Sequence, residues 1–202
     1  MSPGHVAVHW LRSGVGVPHP AGPPVGSPGL AAVVGLLRRS GAAEEPNEDL
    51  PGLTILHHGL QCAARLRRTD PDDLELQVAG LLHDVGHLFA GGGEEHHGAV
   101  GAALVRPVFG DRIAALIAAH VPAKRYLVSA DRTYWDRLSA GSRRTLSVQG
   151  EAMTPEESAA FVVLPYADAA VRLRRADEAA KDPGAEVPGL DAWLPTLALV
   201  TG

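Results

Sequence analysis

The stretch "LLHDVGHLFAGGGEEHHG", residues 81–98, gathers His83, Asp84, His87, His96 and His97 around a glycine run. Imidazole nitrogens and carboxylate oxygens suit iron, manganese or zinc, and with a single cysteine no soft thiolate set competes. An adjacent His-Asp pair is weak evidence by itself, because neighbouring positions on a helix point about 100° apart. Both reach one centre only at the edge of a core-facing stripe. Two further histidines end or interrupt apolar runs, His58 in "TILHHGLQCAARL" and His120 in "RIAALIAAH". Taken singly, each is an ordinary core histidine that needs a polar partner. Taken together, His58, His83, Asp84, His97, His120 and Asp177 fall on expected helices, whose facing side chains can converge on an inward site. Six such ligands exceed what one open catalytic zinc needs and match two metals sharing a carboxylate.

The elements that would carry these residues are helical throughout, so the expected class is all-α. "LAAVVGLLRRSG" puts Leu30, Val33, Val34 and Leu37 on one face and ends in a basic turn before Gly41. A second helix is expected over about 53–68, and a third begins after a cap at Thr69 or Asp70, with Leu74, Val78, Leu81, Leu82 and Val85 as its stripe. Others are expected at about 95–105, 110–119, 154–180 and 189–200. "TPEE" from Thr154 carries a capping box with proline at the first helical position. Residues 1–28, rich in Gly and Pro and without stable period, read as a disordered extension, leaving 29–202 as one catalytic domain.

Composition narrows the function classes. The sequence is 46% hydrophobic but only 4% aromatic, so Ala, Leu and Val must fill the core. A net charge of −5 argues against a nucleic-acid surface. The lone Cys62 excludes an intrachain disulfide and suits a reducing compartment, no apolar run is long enough to span a bilayer, and no signal peptide is evident. A soluble cytoplasmic protein with a small-molecule partner, and neither nucleic acid nor membrane, is the expectation.

The order His…His-Asp…His…His…Asp resembles the HD-domain superfamily, a helical metal-dependent fold. "HGLQCA" at His58, "LLHDVGH" at His83, "HVPAKRYLVS" at His120 and "LSAGSRRTLSVQG" over 138–150 are similar to its mixed-valence di-iron oxygenases of organophosphonate catabolism, over about residues 53–182. That resemblance implies an Fe(II)/Fe(III) pair with dioxygen as co-substrate. It implies cleavage of the C–P bond of a small α-hydroxyphosphonate to phosphate and a carboxylic acid. His58, His83 and Asp177 would hold one iron, His97 and His120 the other, and Asp84 would bridge. His58 is preferred to His57, and His97 to His96, by the family register.

Lys124, one turn after His120, would bind the phosphonate, as would Arg174, Ser142 and Thr145. His87 would contact the phosphonate or a metal-bound ligand, and His87 and Lys124 are the candidate catalytic residues. Aminophosphonate-cleaving members carry a tyrosine and a glutamate ten and seven residues before the first histidine ligand. Here Glu48 and Pro51 stand there, so a substrate amine loses its counter-charge unless a rearranged loop substitutes Glu44, Glu45, Glu48 or Asp49, and altered selectivity at the carbon substituent is the expectation. The rivals are a phosphohydrolase of the same superfamily acting on a phosphate ester or nucleotide, a relative of inositol oxygenase, and a metal-stabilised binding module.

Overall fold

The computed structural model describes residues 29–44, 50–89 and 93–201. The expected N-terminal extension, and Glu45, Glu48 and Asp49, lie outside them. Every extended element among the described residues is helical, and the one pairing of β type is an isolated bridge between Glu44 and Thr54. No helix among the described residues is long and apolar enough to cross a membrane.

Helix α1 (Leu30–Ser40) ends in Arg38 and Arg39, as its basic last turn predicts. Helix α2 (Ile55–Thr69) starts at Thr54, whose hydroxyl accepts from the His57 amide, and packs on α3 (Leu74–Leu82). The cap of α3 is Asp73, which accepts from the Leu76 amide, not Thr69 or Asp70. Asp70 instead ends α2. A turn follows, and the new start comes at Asp73, which also pairs with Arg112.

Helix α3 stops at Leu82, so His83 is its C-terminal cap, Asp84 lies beyond it, and Val85–Leu88 form a short 3-10 turn. The expected continuous stripe to Val85 therefore breaks at the functional pair. Helix α4 (His97–Ala130) merges the segments expected at 95–105 and 110–119 and runs on for more than two turns. Gly110 adopts φ 77°, a conformation that favours glycine and bends the element there, while Pro122 sits inside the helix although its ring withholds one ladder bond.

Two short helices, α5 (Tyr134–Arg137) and α6 (Ala140–Val148), were not expected from a stretch rich in Ser and Gly. Ser139 starts α6 by accepting from the Ser142 amide. The segment expected as one helix over 154–180 is two, α7 (Pro155–Val162) and α8 (Ala167–Glu178). Pro165 and a left-handed Tyr166 (φ 68°) separate them. The expected capping box of Thr154 and Glu157 forms. A 3-10 turn, Leu190–Trp193, leads into the closing α9 (Leu194–Leu199).

Helices α2, α3, α4 and α8 surround one core in which Leu66, Leu76, Leu82, Ile113, Leu116, Ile117 and Leu173 are fully buried. At about 25 cal/mol per Å² of apolar surface removed from water, each such side chain contributes roughly 1.5–3 kcal/mol before the entropy of ordering it. One backbone approach fixes how the site elements meet. A Cβ on Gly86, in the 3-10 turn, would lie 1.9 Å from the carbonyl oxygen of His97, so only glycine lets this turn rest against the start of α4.

Candidate metal centre

His58 projects from the first turns of α2, His83 caps α3, and Asp84 follows it. His97 opens α4, His120 lies six turns along it, and Asp177 is on the last turn of α8. All six are buried. Each histidine is tied through Nδ1 to a backbone carbonyl: His58 to Ala180 at 2.9 Å, His83 to Gly80 at 2.8 Å, His97 to Glu94 at 3.2 Å and His120 to Ile117 at 2.6 Å. A carbonyl only accepts, so each Nδ1 carries the proton and each Nε2 presents a lone pair inward.

Those lone pairs meet in two groups. His58 Nε2 and His83 Nε2 are 3.2 Å apart, and His97 Nε2 and His120 Nε2 are 2.8 Å apart. Asp84 lies between the groups. Its Oδ2 is 3.4 and 3.3 Å from the Nε2 atoms of His58 and His83, and its Oδ1 is 3.5 and 3.6 Å from those of His97 and His120. Asp177 Oδ1 joins the first group, 3.2 Å from His58 Nε2 and 3.7 Å from His83 Nε2.

Acceptors facing acceptors at such separations suit a cation held between them. The donor set fits two hard-to-borderline metals, with Asp84 offering one oxygen to each.

Electrostatics express the same need. Burial would raise the Asp84 carboxyl, but the facing imidazoles, His83 foremost, hold it well below the usual carboxylate range. Burial likewise opposes the charge of Asp177, and Arg174 with the histidines outweighs it. His97 and His120 are pushed down, His120 to about 4, by burial and by the neighbouring imidazoles. Against its own burial, His83 is drawn well up by Asp84 and Asp177. Without metal, the cluster gathers positive charge at this one ring.

A cavity of about 240 Å³ opens beside Asp84, His97, His120 and Asp177, whereas His58 and His83 do not line it. Lys124 is buried in its wall and donates to Thr145 Oγ1 at 2.9 Å and to the Ser142 carbonyl at 3.2 Å. Burial, with Arg174 nearby, pushes its ammonium down to about 7. His87 lines the cavity with its ring stacked on His97, centroids 4.0 Å apart.

Arg174 also lines the cavity, but its fork is largely engaged. It donates to Tyr134 Oη at 2.9 Å, Ser142 Oγ at 3.2 Å, and the carboxylates of Asp177 and Glu178. Four of its five N–H groups are thus directed at protein atoms, and its first effect is to orient Asp177. The hydroxyls of Ser142 and Thr145 also donate inward, to Glu178 and the Ser142 carbonyl, instead of into the cavity.

The neighbours set aside by register lie elsewhere. His57 Nε2 meets the Ala185 carbonyl at 2.9 Å, and exposed His96 pairs with Glu95. Pro51 is exposed on a turn and absent from the cavity wall. Glu94, Gln149, Arg144 and Lys181 line the cavity without having been singled out in the sequence. Lys181 had a signal: it follows Asp177 at the spacing by which Lys124 follows His120. Glu94 and Gln149 lie in loop and helix-end positions with no periodic cue.

A family model for the HD domain matches residues 53–160. Hydroxymethylphosphonate dioxygenase of Gimesia maris is 40% identical over 150 residues, 70% of this chain and 74% of that protein. The glycine-betaine-forming 1-hydroxy-2-(trimethylamino)ethylphosphonate dioxygenase of Leisingera caerulea is 32% identical over 167 residues, 79% and 82% of the two chains. An uncharacterised protein of Acanthamoeba polyphaga mimivirus is 31% identical over 150 residues, 69% and 68% of the two. With the family model matching more than half of the sequence and these relatives covering most of it, the chain belongs to the HD-domain family and is a homologue of its phosphonate dioxygenases.

Proposed function

We propose that the protein is a di-iron dioxygenase that cleaves the C–P bond of a small α-hydroxyphosphonate, with hydroxymethylphosphonate the preferred substrate class. The observation that carries this is the single wall of the cavity where cations stand against the His97–His120 group, beside a carboxylate shared with the other group. Identity to a hydroxymethylphosphonate enzyme over most of the chain supports the same substrate class. The imidazole and carboxylate donors, with no thiolate among them, suit iron as the metal.

His58, His83, Asp177 and Asp84 Oδ2 would hold one iron, and His97, His120 and Asp84 Oδ1 the other. When bound, the pair supplies dioxygen binding and the oxidising equivalents for the carbon. The balance is HOCH2PO3 dianion plus O2 giving formate plus dihydrogen phosphate. The carbon is oxidised, dioxygen is reduced, and the C–P bond breaks.

Lys124 places an ammonium against the phosphonate oxygens, and burial excludes the water that would screen it. The remaining Arg174 N–H and the ammonium of Lys181 add positive charge on the same side. His87, held flat against His97, limits the directions in which a ligand can approach the open group.

Two measurements test this. EPR of aerobically purified protein should show a coupled mixed-valence signal that changes when hydroxymethylphosphonate is added. Oxygen uptake should be fastest with hydroxymethylphosphonate and slower with alkyl, amino and trimethylammonio homologues. Phosphate release without oxygen uptake would replace the proposal with hydrolysis. A dominant cationic substrate would overturn the substituent assignment and direct attention to Glu94, the carboxylate in the cavity wall outside the two ligand groups.

A further inference from the structure

The cations of the cavity share a carboxylate that lies behind them. Glu178 is almost wholly buried, its side chain 8% exposed, and it does not line the cavity. Its Oε1 accepts from the Ser139 amide at 2.6 Å, at the start of α6. Its Oε2 accepts from Ser142 Oγ at 2.8 Å and from Arg174, and lies 3.5 Å from Lys181 Nζ. Lys181 also donates to Ser142 Oγ at 2.8 Å. Arg174 and Lys181 thus face the cavity while held from behind by one negative charge. The α-hydroxyphosphonate and the phosphate formed from it present the same tetrahedral oxyanion to this wall. A wall of buried cations that binds the first also retains the second.

We propose that Glu178 is a positioning residue that weakens the hold of Arg174 and Lys181 on a tetrahedral oxyanion and so sets how fast phosphate leaves. The proposal rests on the reading of the cavity as a phosphonate site. Glu178 does not touch substrate; it acts through Arg174, Lys181 and Ser142. A unit charge one cation behind the anion, roughly 6 Å away, at an effective dielectric near 20 alters affinity on the order of a hundredfold. A carboxylate that merely braced the wall would have the opposite signature, because its loss would disorder Arg174 and Ser142 and weaken anion binding.

The test is calorimetric titration of inorganic phosphate into metal-loaded protein, with steady-state kinetics alongside. Glu178→Gln should bind phosphate on the order of a hundredfold more tightly than the unaltered protein, with kcat and KM for hydroxymethylphosphonate both reduced. Glu178→Asp, which draws the charge back by one methylene, should tighten phosphate by about threefold and serves if the glutamine variant does not fold. Unchanged or weaker phosphate binding in these variants overturns the role of Glu178. The cavity reading is tested separately by Lys124→Ala: if phosphate binds the unaltered protein and Lys124→Ala equally, the anion site is elsewhere and the inference about Glu178 falls with it.

Discussion

The two halves of the candidate metal centre are built from the same side chains and differ in what surrounds them. At one pole, His58 and His83 are wholly buried, Asp177 and Asp84 complete the group, and Arg174 clamps Asp177 from behind. Its carbonyl ties reach back to Gly80 and on to Ala180, so it joins α2, α3 and the end of α8. At the other pole, His97 and His120 share only Asp84 and face the cavity with Lys124 and His87. The closed pole carries one more candidate ligand and meets the cavity only through Asp177 and the shared Asp84; the open pole carries fewer and lines the cavity with both of its histidines. On the proposed function, reactivity would belong at His97–His120, with the closed pole holding its metal in place and tuning it through the shared carboxylate.

Replacing that carboxylate should have the largest effect, because Asp84 belongs to both poles. Asp84→Ala should lose both metals by elemental analysis and drop turnover by at least about a thousandfold. Two retained metals with normal turnover would break the assignment of the bridge. Next, the poles should respond unequally to loss of one histidine. His58→Ala removes a fully buried ring and its Ala180 contact, and should lower stability by about 2–4 kcal/mol in chemical denaturation as well as costing metal. His120→Ala, beside the cavity, should reduce metal from two per chain towards one with a smaller stability loss. The reverse ranking would show that the closed pole is not the structural one.

Lys124→Ala sharpens the comparison from the side of the substrate. Metal content should be normal, while kcat/KM for hydroxymethylphosphonate falls by about 2–4 kcal/mol of binding, roughly 30- to 1000-fold. The ammonium, pushed down to about 7, is charged below that pH and neutral above it. In the unaltered enzyme kcat/KM should decline as pH rises through about 7, and the Lys124→Ala profile should lack that limb.

The smallest effect is expected far from both poles. Asp73 caps α3 and pairs with Arg112, so Asp73→Ala should cost about 1–2 kcal/mol with metal content and turnover unchanged. Arg112 holds the Asp73 carboxyl below its usual value. A group depressed in the folded state contributes stability above its unfolded pKa of about 3.9 and loses it as pH falls below. Denaturation midpoints of the two proteins should therefore converge in acid.

His58 and His120 stood out in the sequence because each sits in or beside an apolar run, where an unpaired imidazole is conspicuous, whereas His97 and Asp177 stand in polar stretches and were picked out by the family order of ligands. Choosing His58 over His57 and His97 over His96 needed the family register, and the Nδ1 ties now give those choices a geometry. The helix limits around the site were less legible. His83 and Asp84 read as interior to a helix because the stripe runs on to Val85, whereas a 3-10 turn presses against α4 at that point. The helix expected to end at about 119 runs on past Pro122, carried by burial of Ala123, Lys124 and Leu127. Nothing periodic marks Ser139–Val148 as a helix, since its stability comes from a serine cap and from side chains of α8 reaching Ser139 and Ser142. Glu178 went unnoticed for a related reason: in sequence it is one more acid after Asp177, and only the fold turns three donors towards it.

The contact at Gly86 has a consequence for how this centre tolerates change. Asp84 stands two residues before the glycine, and His97 supplies the carbonyl that the glycine touches. The interval between the poles is thereby gauged by main chain resting on main chain, a hard stop with no side chain in between to compress or repack. Substitutions among the leucines and alanines around it can soften the protein, yet they leave that interval as it is. The spacing is a property of the backbone, inherited by any sequence that keeps glycine at 86 whatever apolar residues fill the interior around it.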